Sequence, residues 1–417
     1  MSGGVDSSVA ALLLKKKGFE VIGVFMHFWA ETHPGAPRHP SPEGNKCCSL
    51  ASFNDARRVA NKLDIPLYTV NFDRPFKKLV VDEFIAGYGA GETPNPCVNC
   101  NKYIKFELLL KKADELEADF VATGHYAKTR PVKCRSAATP QNAGLFNRVN
   151  GEDITYKLLR PKDLDKDQTY FLYTLDQKKL KRILFPLADL TKPAVRALAK
   201  KAGLTVAEKP ESQEICFIPG KSHNDFLKRH LKLKPGPIKL LTPPNLPFEK
   251  GEEKTPPPDL PFGKGEGQSE PLPPLAKGRV GVGSDARILG RHQGLPLYTI
   301  GQRKGVEIGG IGPFYVARCD YKTNTLYVVG KSDDQALFSG QLLAKKINWI
   351  GGNEPKLPLR CEAVIRYRHK PIAAIIDKRP GKRIIVRFTK PQRAVTPGQS
   401  VVFYKGKEVL GGGVIDS

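Results

Sequence analysis

The stretch Ser2-Gly3-Gly4-Val5-Asp6-Ser7-Ser8 lies directly ahead of the apolar run Val9 to Leu14. Glycines let a backbone approach an anion closely, and hydroxyl groups and unpaired N–H groups at a helix start supply donors and the positive end of the helix dipole. The lysine of a Walker P-loop is absent. The stretch predicts a nucleotide or pyrophosphate site, and the alternative is a helix start capped by serine and aspartate.

Only Met1 precedes this stretch in the sequence. In doubly wound folds, a buried strand normally leads into the phosphate loop. We therefore expect either that the start of the chain is clipped or misassigned, or that the sheet lacks one strand.

Helical and strand patterns alternate downstream of the loop. Near-continuous apolar runs are typical of buried parallel strands, and apolar residues three and four positions apart are typical of helices. The alternation predicts a parallel α/β sheet, with ligands bound beyond the carboxyl ends of its strands, where Met26, Gly124 and His125 fall. The predicted strands are 21–26, 67–72 and 120–123, and the predicted helices are 9–17, 52–63, 106–116, 175–184 and 192–202.

Two later segments lack these patterns. Residues 130–153 are polar and interrupted by glycine and proline, which is typical of a loop. Further on, Pro243–Glu252 recurs as Pro257–Glu266, and a looser third copy follows. Because the repeats contain too few apolar residues to fold alone, we expect a disordered surface insertion over about 239–283.

The last third of the chain consists of short strand patterns separated by glycine and proline, which predicts a small β-barrel. We therefore expect three domains: a nucleotide-binding domain over 1–218, a central domain over 219–306 that carries the insertion, and a barrel over 307–417. The strand patterns are 314–318, 325–329, 363–368, 373–376, 383–388 and 401–404.

The composition limits the function classes. Lysine and arginine number 67 against 42 acidic residues, a formal charge of +25, which favours a nucleic-acid partner over a merely basic soluble protein. No apolar run approaches the ~20 residues that span a membrane, and no signal peptide is present. We expect a cytoplasmic protein that does not bind a membrane. Eight cysteines are too few for a disulfide scaffold, so the clustered ones are candidates for chemistry or metal.

Two of these cysteines form the segment Cys97-Val-Asn-Cys100, after two prolines and directly before a helix. The pair could be half of a zinc or iron–sulfur site completed by Cys47 and Cys48, although adjacent cysteines chelate one tetrahedral ion poorly. It could also be a thioredoxin-like redox pair, whose usual context is missing, or two inert buried thiols. A reactive thiolate is favoured, because a helix N-terminus and nearby lysines lower a thiol pKa.

Another cysteine, Cys216, lies in the segment Glu211–Pro219 without a second cysteine nearby. A lone cysteine is usually part of a core. Here it interrupts a run of polar residues that suits a mobile loop better than a core strand. Cys216 is therefore a further candidate for chemistry.

Eight motifs occur in an order that resembles one family. The loop Ser2–Ser8 resembles the PP-loop of the ATP pyrophosphatases, which split ATP into AMP and pyrophosphate while adenylating a carbonyl oxygen. Together, and over nearly the whole chain, the motifs resemble the tRNA-specific 2-thiouridylases of the MnmA/TrmU family. They are the PP-loop, Asn95-Pro-Cys-Val-Asn-Cys-Asn101, Ala122-Thr-Gly-His-Tyr126, Lys166-Asp-Gln-Thr-Tyr-Phe171, Ser212-Gln-Glu-Ile-Cys-Phe217, Tyr298-Thr-Ile-Gly-Gln-Arg-Lys-Gly305, Ile365-Arg-Tyr-Arg368 and Thr396-Pro-Gly-Gln399.

The resemblance implies an α/β PP-loop domain of the adenine nucleotide alpha hydrolase-like fold with a parallel sheet, a small central domain and a C-terminal β-barrel. It also implies an enzyme that puts sulfur on C2 of the wobble uridine in the tRNAs for lysine, glutamate and glutamine. In this family, ATP adenylates the C2 oxygen, and an upstream donor protein delivers the sulfur as a persulfide. Magnesium is expected with ATP, and no protein-bound metal is expected.

The resemblance also assigns roles to residues. Cys100 is the implied nucleophile, and Cys216 is the implied carrier of the persulfide. The implied ATP site comprises Ser2, Gly3, Gly4, Val5, Asp6, Ser7, Ser8, Met26 and Gly124. The implied tRNA contacts are Asn95, Pro96 and Cys97, which face the target base, together with His125, Lys166, Asp167, Gln168, Arg366, Tyr367 and Gln399.

Some details of the chemistry stay open. The Cys216 persulfide either attacks C2 itself, with Cys100 then forming a disulfide that reduces the S–S link, or releases hydrosulfide that attacks unaided. Some relatives have an aspartate where Cys97 stands, so an acid or base role there is in doubt, as is the identity of the resolving thiol. The repeat-bearing insertion also departs from the family pattern.

Two rival functions compete with this one. Another PP-loop thiolase, such as a 4-thiouridine or 2-thiocytidine enzyme, should lack the Cys216 segment and the terminal barrel. A degenerate, non-catalytic paralogue would bind tRNA through its basic surface alone. Formation of 2-thiouridine would distinguish the first function from both rivals.

Overall fold

The computed structural model describes residues 1–31, 49–133, 147–149, 152–211, 215–218, 222–241, 288–306, 308 and 312–416. Within these ranges, an N-terminal α/β part is followed by a small central sheet and a C-terminal β-barrel, in agreement with the predicted fold class. Cys47, Cys48 and Cys134 lie outside the described residues, as do the repeats from residue 243 onward.

The helical elements are concentrated in the first 230 residues. The α-helices are α1 Val5–Lys16, α2 Leu50–Leu63, α3 Asp73–Phe76, α4 Asp82–Gly89, α5 Pro96–Asn99, α6 Leu109–Glu115, α7 Gln177–Lys181, α8 Lys192–Lys201 and α9 His223–His230. Two π-helical segments, Lys77–Val81 and Cys100–Leu108, continue α3 and α5. Short 3₁₀ turns occur at Leu164–Lys166, Thr169–Phe171, Leu295–Leu297 and Gln335–Leu337.

The strands fall into three groups. The N-terminal strands are β1 Gly23–His27, β2 Leu67–Asn71, β3 Val121–Ala122, β4 Lys128–Lys133, β5 Asn147–Val149, β6 Glu152–Leu159 and β7 Ile183–Leu184. The central strands are β8 Gly236–Leu240, β9 Ile288–His292, β10 Tyr315–Asp320 and β11 Thr325–Val329. The C-terminal strands are β12 Phe338–Trp349, β13 Leu359–Val364, β14 Ile372–Arg379, β15 Arg383–Arg393, β16 Ser400–Lys405 and β17 Glu408–Ile415.

The parallel strands of the N-terminal part form two separate pairs, β1 with β2 and β3 with β7. Among the described residues no strand joins the two pairs. The amino group of Met1 donates to the carbonyl of Val24 in β1, and burial lowers the pKa of this amino group to about 5. Met1 therefore lies beside β1, and the predicted phosphate loop begins at the next residue.

Helix α1 is buried because its apolar run, Val9 to Leu14, packs between two other helices. Val9 and Leu12 share a core with Val59 of α2 and Val195 of α8. Helix α2 begins at a cap, where the Ser49 hydroxyl oxygen accepts a hydrogen bond from the Ser52 N–H at 3.2 Å. This packing fixes the start of α1 against the rest of the domain.

The structure corrects two local predictions. The predicted helix over 175–184 ends at Lys181, and Ile183–Leu184 form β7 beside β3. The predicted loop over 130–153 begins with Arg130 to Lys133 of β4, which pair antiparallel with β6. A two-residue strand and an exposed basic strand carry no apolar alternation that a sequence pattern could detect.

The central sheet has the strand order β10-β11-β8-β9. Its apolar face includes Ile238, Val316, Leu326 and Val328. Lys239 and Leu240 belong to β8, so the start of the range expected to be a disordered insertion is a strand. Because β10 and β11 belong to this sheet, we propose a domain boundary near residue 330 in place of residue 306.

The C-terminal barrel follows the order β12-β15-β14-β13-β16-β17 and closes through the pairing of β12 with β17. Closure leaves no edge within these six strands, and apolar side chains such as Leu342, Ile376, Val386 and Phe403 fill the interior. Strand β6 pairs with β17, so β6 and β4 of the N-terminal part extend the barrel sheet. The barrel and the N-terminal part therefore share a continuous hydrogen-bonded sheet.

The side chain of Gln177 connects the N-terminal part to the barrel through buried hydrogen bonds. Its side chain is 2% exposed. The amide oxygen accepts from Tyr156 N at 2.7 Å, and the amide nitrogen donates to Tyr156 O at 2.9 Å and to Ile350 O at 2.6 Å. All three backbone groups depend on this one side chain.

We predict that Gln177→Leu lowers the free energy of unfolding by about 2 kcal/mol, because buried backbone donors and acceptors lose their partner. Urea titration followed by tryptophan fluorescence measures the change. Gln392→Leu is the matched control, since the Gln392 amide donates only to the adjacent Lys390 and Pro391 carbonyls. Equal unfolding free energies for the two variants would contradict the assignment.

Candidate active site

The predicted phosphate loop is shaped by its glycines. Gly4 is the extended N-cap of α1, and the Ser7 and Ser8 hydroxyls donate to its carbonyl at 3.1 and 2.9 Å. Gly3 has φ +67°, and a Cβ there would lie 2.1 Å from the Ser52 carbonyl oxygen. Only glycine fits this position, so the loop is held tightly against α2.

A second close approach joins this loop to the end of β3. A Cβ on Gly124 would lie 2.8 Å from the backbone nitrogen of Ser7. Met26, at the end of β1, packs partly buried against two neighbouring apolar clusters. The structure thus brings Gly124 to the predicted ATP loop and places Met26 at the carboxyl end of its strand, where ligands bind in such sheets.

Asp6 is the anionic centre of the loop. Lys192, at the start of α8, donates to both carboxylate oxygens at 2.8 and 2.7 Å, and its side chain is only 9% exposed. The Tyr126 hydroxyl also donates to Asp6 at 2.9 Å. Burial and the Asp6 charge raise the pKa of Tyr126, which keeps its hydroxyl a donor.

The ion pair continues toward the segment that carries Cys216. Lys192 also contacts Glu211 at 2.8 Å, and Glu211 contacts Lys166 at 2.8 Å. Burial alone would raise the pKa of Glu211, but its hydrogen bonds to Lys166 and Lys192 outweigh burial and lower the pKa to about 2. One charged chain therefore links the phosphate loop, the Lys166 motif and the residue five positions before Cys216.

A second lysine supports the loop from the other side. Lys209 donates to the Gly3 carbonyl at 3.0 Å and to the Asp55 carboxylate at 2.6 Å. Lys192 and Lys209 therefore both lie beside the loop, and each is paired with a carboxylate.

The cysteine loop is capped by Asn95. The Asn95 side-chain oxygen accepts from Cys97 N at 3.1 Å, and Pro96 occupies the first turn of α5. Cys97 is exposed, whereas Cys100 is 8% exposed and begins the π-helical segment. The two thiols of this motif therefore lie in different environments.

Cys216 lies against the same apolar cluster that contains Cys100. The neighbouring Phe217 is 2% exposed and contacts the rings of Phe76 and Phe84 edge-on, with centroids 5.9 and 5.3 Å apart. Phe217 thereby anchors the short described segment 215–218 to the helices around the cysteine loop. The structure brings the two predicted reactive cysteines to one cluster.

Several predicted tRNA contacts are engaged within the protein. His125 is buried beside Phe106, and its Nδ1 lies 2.9 Å from the Thr123 hydroxyl. Burial, together with the charge of Lys105, holds the pKa of His125 well below its usual range, so the ring is neutral at pH 7. These contacts place His125 among the groups that shape the end of β3.

The Lys166 motif is also tied internally. Asp167 accepts from Arg160 at 2.6 Å and from the Thr169 N–H and hydroxyl at 2.9 and 2.6 Å. Gln168 accepts from Tyr126 N at 2.9 Å. The motif is thus joined to the tyrosine that contacts Asp6.

The remaining predicted tRNA contacts lie on the barrel. Tyr367 packs on Phe171 with ring centroids 4.5 Å apart, and half-buried Arg366 lies 3.4 Å from the Thr396 hydroxyl. Burial lowers the pKa of Arg366. Gln399 donates to the Thr93 carbonyl at 2.7 Å. The barrel therefore contacts both the Lys166 motif and the loop before the cysteines.

In the part of the chain that the structure describes, no group of three or more His, Cys, Asp or Glu side chains could hold a metal ion. The proposed zinc partners Cys47 and Cys48 lie outside that part. No helix of the described ranges is both long and apolar enough to span a bilayer.

Comparison with family models defines the class of protein. The model described as the tRNA methyl transferase HUP domain matches residues 1–220. The tRNA methyl transferase PRC-barrel domain matches residues 272–330, and the aminomethyltransferase beta-barrel domain matches residues 339–415. The chain is thus a three-domain protein with a HUP-type α/β domain at its N-terminus.

Full-length relatives specify the family. The chain is 44% identical over 419 residues to the tRNA-specific 2-thiouridylase MnmA of Geotalea uraniireducens, covering 100% of this chain and 93% of the relative. It is 41% identical over 420 residues to the enzyme of the same name from Geobacter metallireducens, covering 100% and 95%. The chain belongs to the MnmA family of tRNA-specific 2-thiouridylases, within the PP-loop superfamily.

Solved structures are more distant. NMN synthetase from Francisella tularensis aligns with a TM-score of 0.28 and 14% identity, covering 54% of this chain and 68% of that chain. This similarity is too low to carry an argument.

Sequence reasoning missed the cations and partners that surround the loop. Lys192 and Lys209 stand 186 and 206 residues from their partners Asp6 and Gly3, and neither lies in a recognised motif. The only signal was indirect: Tyr126 and Glu211 belong to segments that were already singled out. Contacts between residues so far apart in sequence are set by the packing of the folded domain.

We predict that Lys192→Met lowers the free energy of unfolding by about 2 kcal/mol and weakens ATP binding at least tenfold, because Asp6 and Glu211 lose their shared cation. Urea titration and calorimetry measure the two effects. Lys200→Met on the same helix is the control, since that side chain is 80% exposed and lies 3.9 Å from Glu208. Wild-type ATP affinity in Lys192→Met would contradict the role given to this ion pair.

Proposed function

We propose that the protein is an ATP-dependent tRNA-uridine 2-sulfurtransferase that makes 2-thiouridine at the wobble position of the tRNAs for lysine, glutamate and glutamine. The names of the full-length relatives support the reaction class. The observation that carries the proposal is the position of Cys100 and Cys216 on one apolar cluster, which Met26 at the end of β1 also borders. Two thiols near a nucleotide loop are the parts that this chemistry needs.

The first step activates the base. A uracil carbonyl oxygen is a poor leaving group, so the C2 oxygen attacks the α-phosphorus of ATP, and pyrophosphate leaves. The loop Ser2–Ser8 would orient the phosphates with its serine hydroxyls and backbone N–H groups. Lys192 and Lys209 would offset the negative charge of the phosphates.

The second step transfers sulfur. The terminal sulfur of the Cys216 persulfide attacks C2, and AMP leaves with the former C2 oxygen. The Cys100 thiolate then attacks the Cys216 sulfur, which releases the thiocarbonyl and leaves a Cys100–Cys216 disulfide. An external thiol reductant restores both thiols, and a persulfide donor protein reloads Cys216. In the alternative route, the Cys100 thiolate first attacks the Cys216 sulfur of the persulfide, which forms the Cys100–Cys216 disulfide and releases hydrosulfide. Hydrosulfide then attacks C2, and AMP leaves with the former C2 oxygen.

Cys100 suits the role of the attacking thiol. It lies in the helix that begins at Pro96, on the apolar cluster that Cys216 borders. Its low exposure would shield the intermediate from water. Exposed Cys97 lacks that protection.

Magnesium would enter bound to ATP. Carboxylate oxygens suit magnesium, but both oxygens of Asp6 accept hydrogen bonds from Lys192 in this structure. We therefore assign Asp6 to holding the loop and Lys192 in place, and leave magnesium to the phosphates.

The charge of +25 supports tRNA as the partner. An anticodon base must leave its stack to reach a buried thiol, which suits an unpaired loop held through its backbone. Because tRNA and ATP are its proposed substrates, we place the protein in the cytoplasm.

We predict that wild-type protein converts unmodified tRNA for glutamate to the 2-thiouridine form when ATP and a persulfide donor are supplied, whereas Cys100→Ser and Cys216→Ser lose at least a hundredfold in rate. Nucleoside mass spectrometry measures the product. Cys361→Ser is the control, because that cysteine lies on barrel strand β13, and it should keep wild-type activity.

Two outcomes overturn parts of this proposal. Full activity in both cysteine variants would refute the relay. Tight tRNA binding without any 2-thiouridine from wild type would instead indicate a non-catalytic tRNA-binding protein.

A further inference from the structure

We propose that the barrel turn Thr396–Gln399 positions the cysteine loop Thr93–Cys100, and that Gln399 is a positioning residue for Cys100. The inference rests on the proposed function, since the position of Cys100 matters to the reaction only if this thiol takes part in sulfur transfer. The turn connects β15 to β16, and the cysteine loop follows α4 and includes α5.

The turn forms two hydrogen bonds with the backbone of Thr93. Thr93 N donates to the Pro397 carbonyl at 2.8 Å, and the Gln399 side-chain nitrogen donates to the Thr93 carbonyl at 2.7 Å. These two bonds satisfy both backbone polar groups of Thr93, which lies two positions before the cap Asn95. Any shift of the turn is therefore transmitted to the start of α5.

The contact is also sterically tight. Gly398 has φ +87°, and a Cβ there would lie 2.7 Å from both Thr93 N and Glu92 Cβ. The turn is fixed to the last barrel strand, because Gly398 N donates to Ile415 O at 2.9 Å and Ile415 N donates to Gln399 O at 2.8 Å. The turn thus moves as part of the barrel.

Ion pairs also connect the cysteine loop region to the barrel. Lys345 of β12 contacts Glu92 at 2.7 Å and Asp416 at 2.8 Å, and Arg383 contacts Asp416 at 3.1 Å. The hydrogen bonds from Lys345 lower the pKa of Asp416, and this carboxylate in turn raises the pKa of Lys345. The residue before Thr93 is therefore held to the barrel as well.

The opposite side of the loop leaves little room. A Cβ on Gly87 of α4 would lie 2.8 Å from the Pro94 ring. Between this contact and the barrel turn, the path from Thr93 to Cys100 consists of Pro94, Asn95 and the four residues of α5. A rigid connection of this length carries the barrel position directly to the thiol.

This arrangement gives the barrel a role in chemistry. Arg366 and Tyr367, proposed tRNA contacts, lie on the same barrel, and Arg366 lies 3.4 Å from the Thr396 hydroxyl within the turn. The Gln399 amide nitrogen donates to the Thr93 carbonyl in the cysteine loop. It therefore acts through Cys100, and its loss should affect the chemical step more than tRNA affinity.

The test is Gln399→Glu, which keeps the shape of the side chain but places a carboxylate against the Thr93 carbonyl. At saturating tRNA, we expect the thiolation rate to fall about tenfold, with the KM for tRNA within twofold of wild type. In the fully reduced protein without substrates, alkylation of Cys100 by iodoacetamide, followed by peptide mass spectrometry, should become about tenfold faster. Gln399→Lys restores a donor and should recover most of both properties.

The matched control is Gln392→Glu, which makes the same change on the same barrel at a residue whose side-chain amide donates to the carbonyls of Lys390 and Pro391 beside it. It should leave the rate and the alkylation unchanged. A raised KM for tRNA with unchanged rate and alkylation in Gln399→Glu would overturn the proposal and make Gln399 a tRNA contact. Unchanged values throughout would also overturn it. If wild type forms no 2-thiouridine, the proposed function fails, and the alkylation rates still decide the positioning.

Discussion

The apolar cluster around Phe76, Phe84 and Phe217 is the contact on which the account depends. Edge-on aromatic packing holds the segment 215–218 against the helices that surround the cysteine loop. Cys100 is part of this cluster, and Cys216 borders it. Phe217 and the buried Ile218 together hold the segment that carries the second cysteine against this cluster. Apolar packing thus determines where the two cysteines of the proposed sulfur transfer lie.

The charged residues of the site depend on one lysine, Lys192. Lys192 is shared between Asp6 and Glu211, so the phosphate loop and the entry to the Cys216 segment depend on one cation. A partly buried chain of ion pairs stabilises the fold little by itself, but removing Lys192 leaves the two carboxylates without their shared cation. Binding of ATP phosphates beside Lys192 would compete with both carboxylates. The nucleotide and the Cys216 segment are therefore electrostatically coupled.

Much of the fold was accessible from sequence, because alternating strand and helix patterns and glycine-punctuated strands have clear periodicities. The beginning of α8 at Lys192 and the strand Thr325–Val329 follow such patterns closely. The strand Ile183–Leu184 did not, since two residues carry no period and the preceding leucines continue a helical spacing. Strands β12 and β17 also escaped prediction, the latter because three glycines interrupt it.

The candidate site was also predictable from sequence only in part. The cysteines and the phosphate loop are local motifs with recognisable chemistry. The Lys192–Asp6 pair spans 186 residues and exists only after the N-terminal domain has folded, whereas the Gln399–Thr93 bond spans 306 and exists only after the barrel has packed against that domain.

The most direct measurement is the rate at which mild oxidation with diamide links Cys100 to Cys216 in the reduced protein. Peptide mass spectrometry identifies the linked pair. The account predicts that this disulfide forms at least tenfold faster in the native protein than in protein unfolded in urea, because folding raises the effective concentration of the two thiols. A native rate equal to or below the unfolded rate would contradict the convergence of the two cysteines.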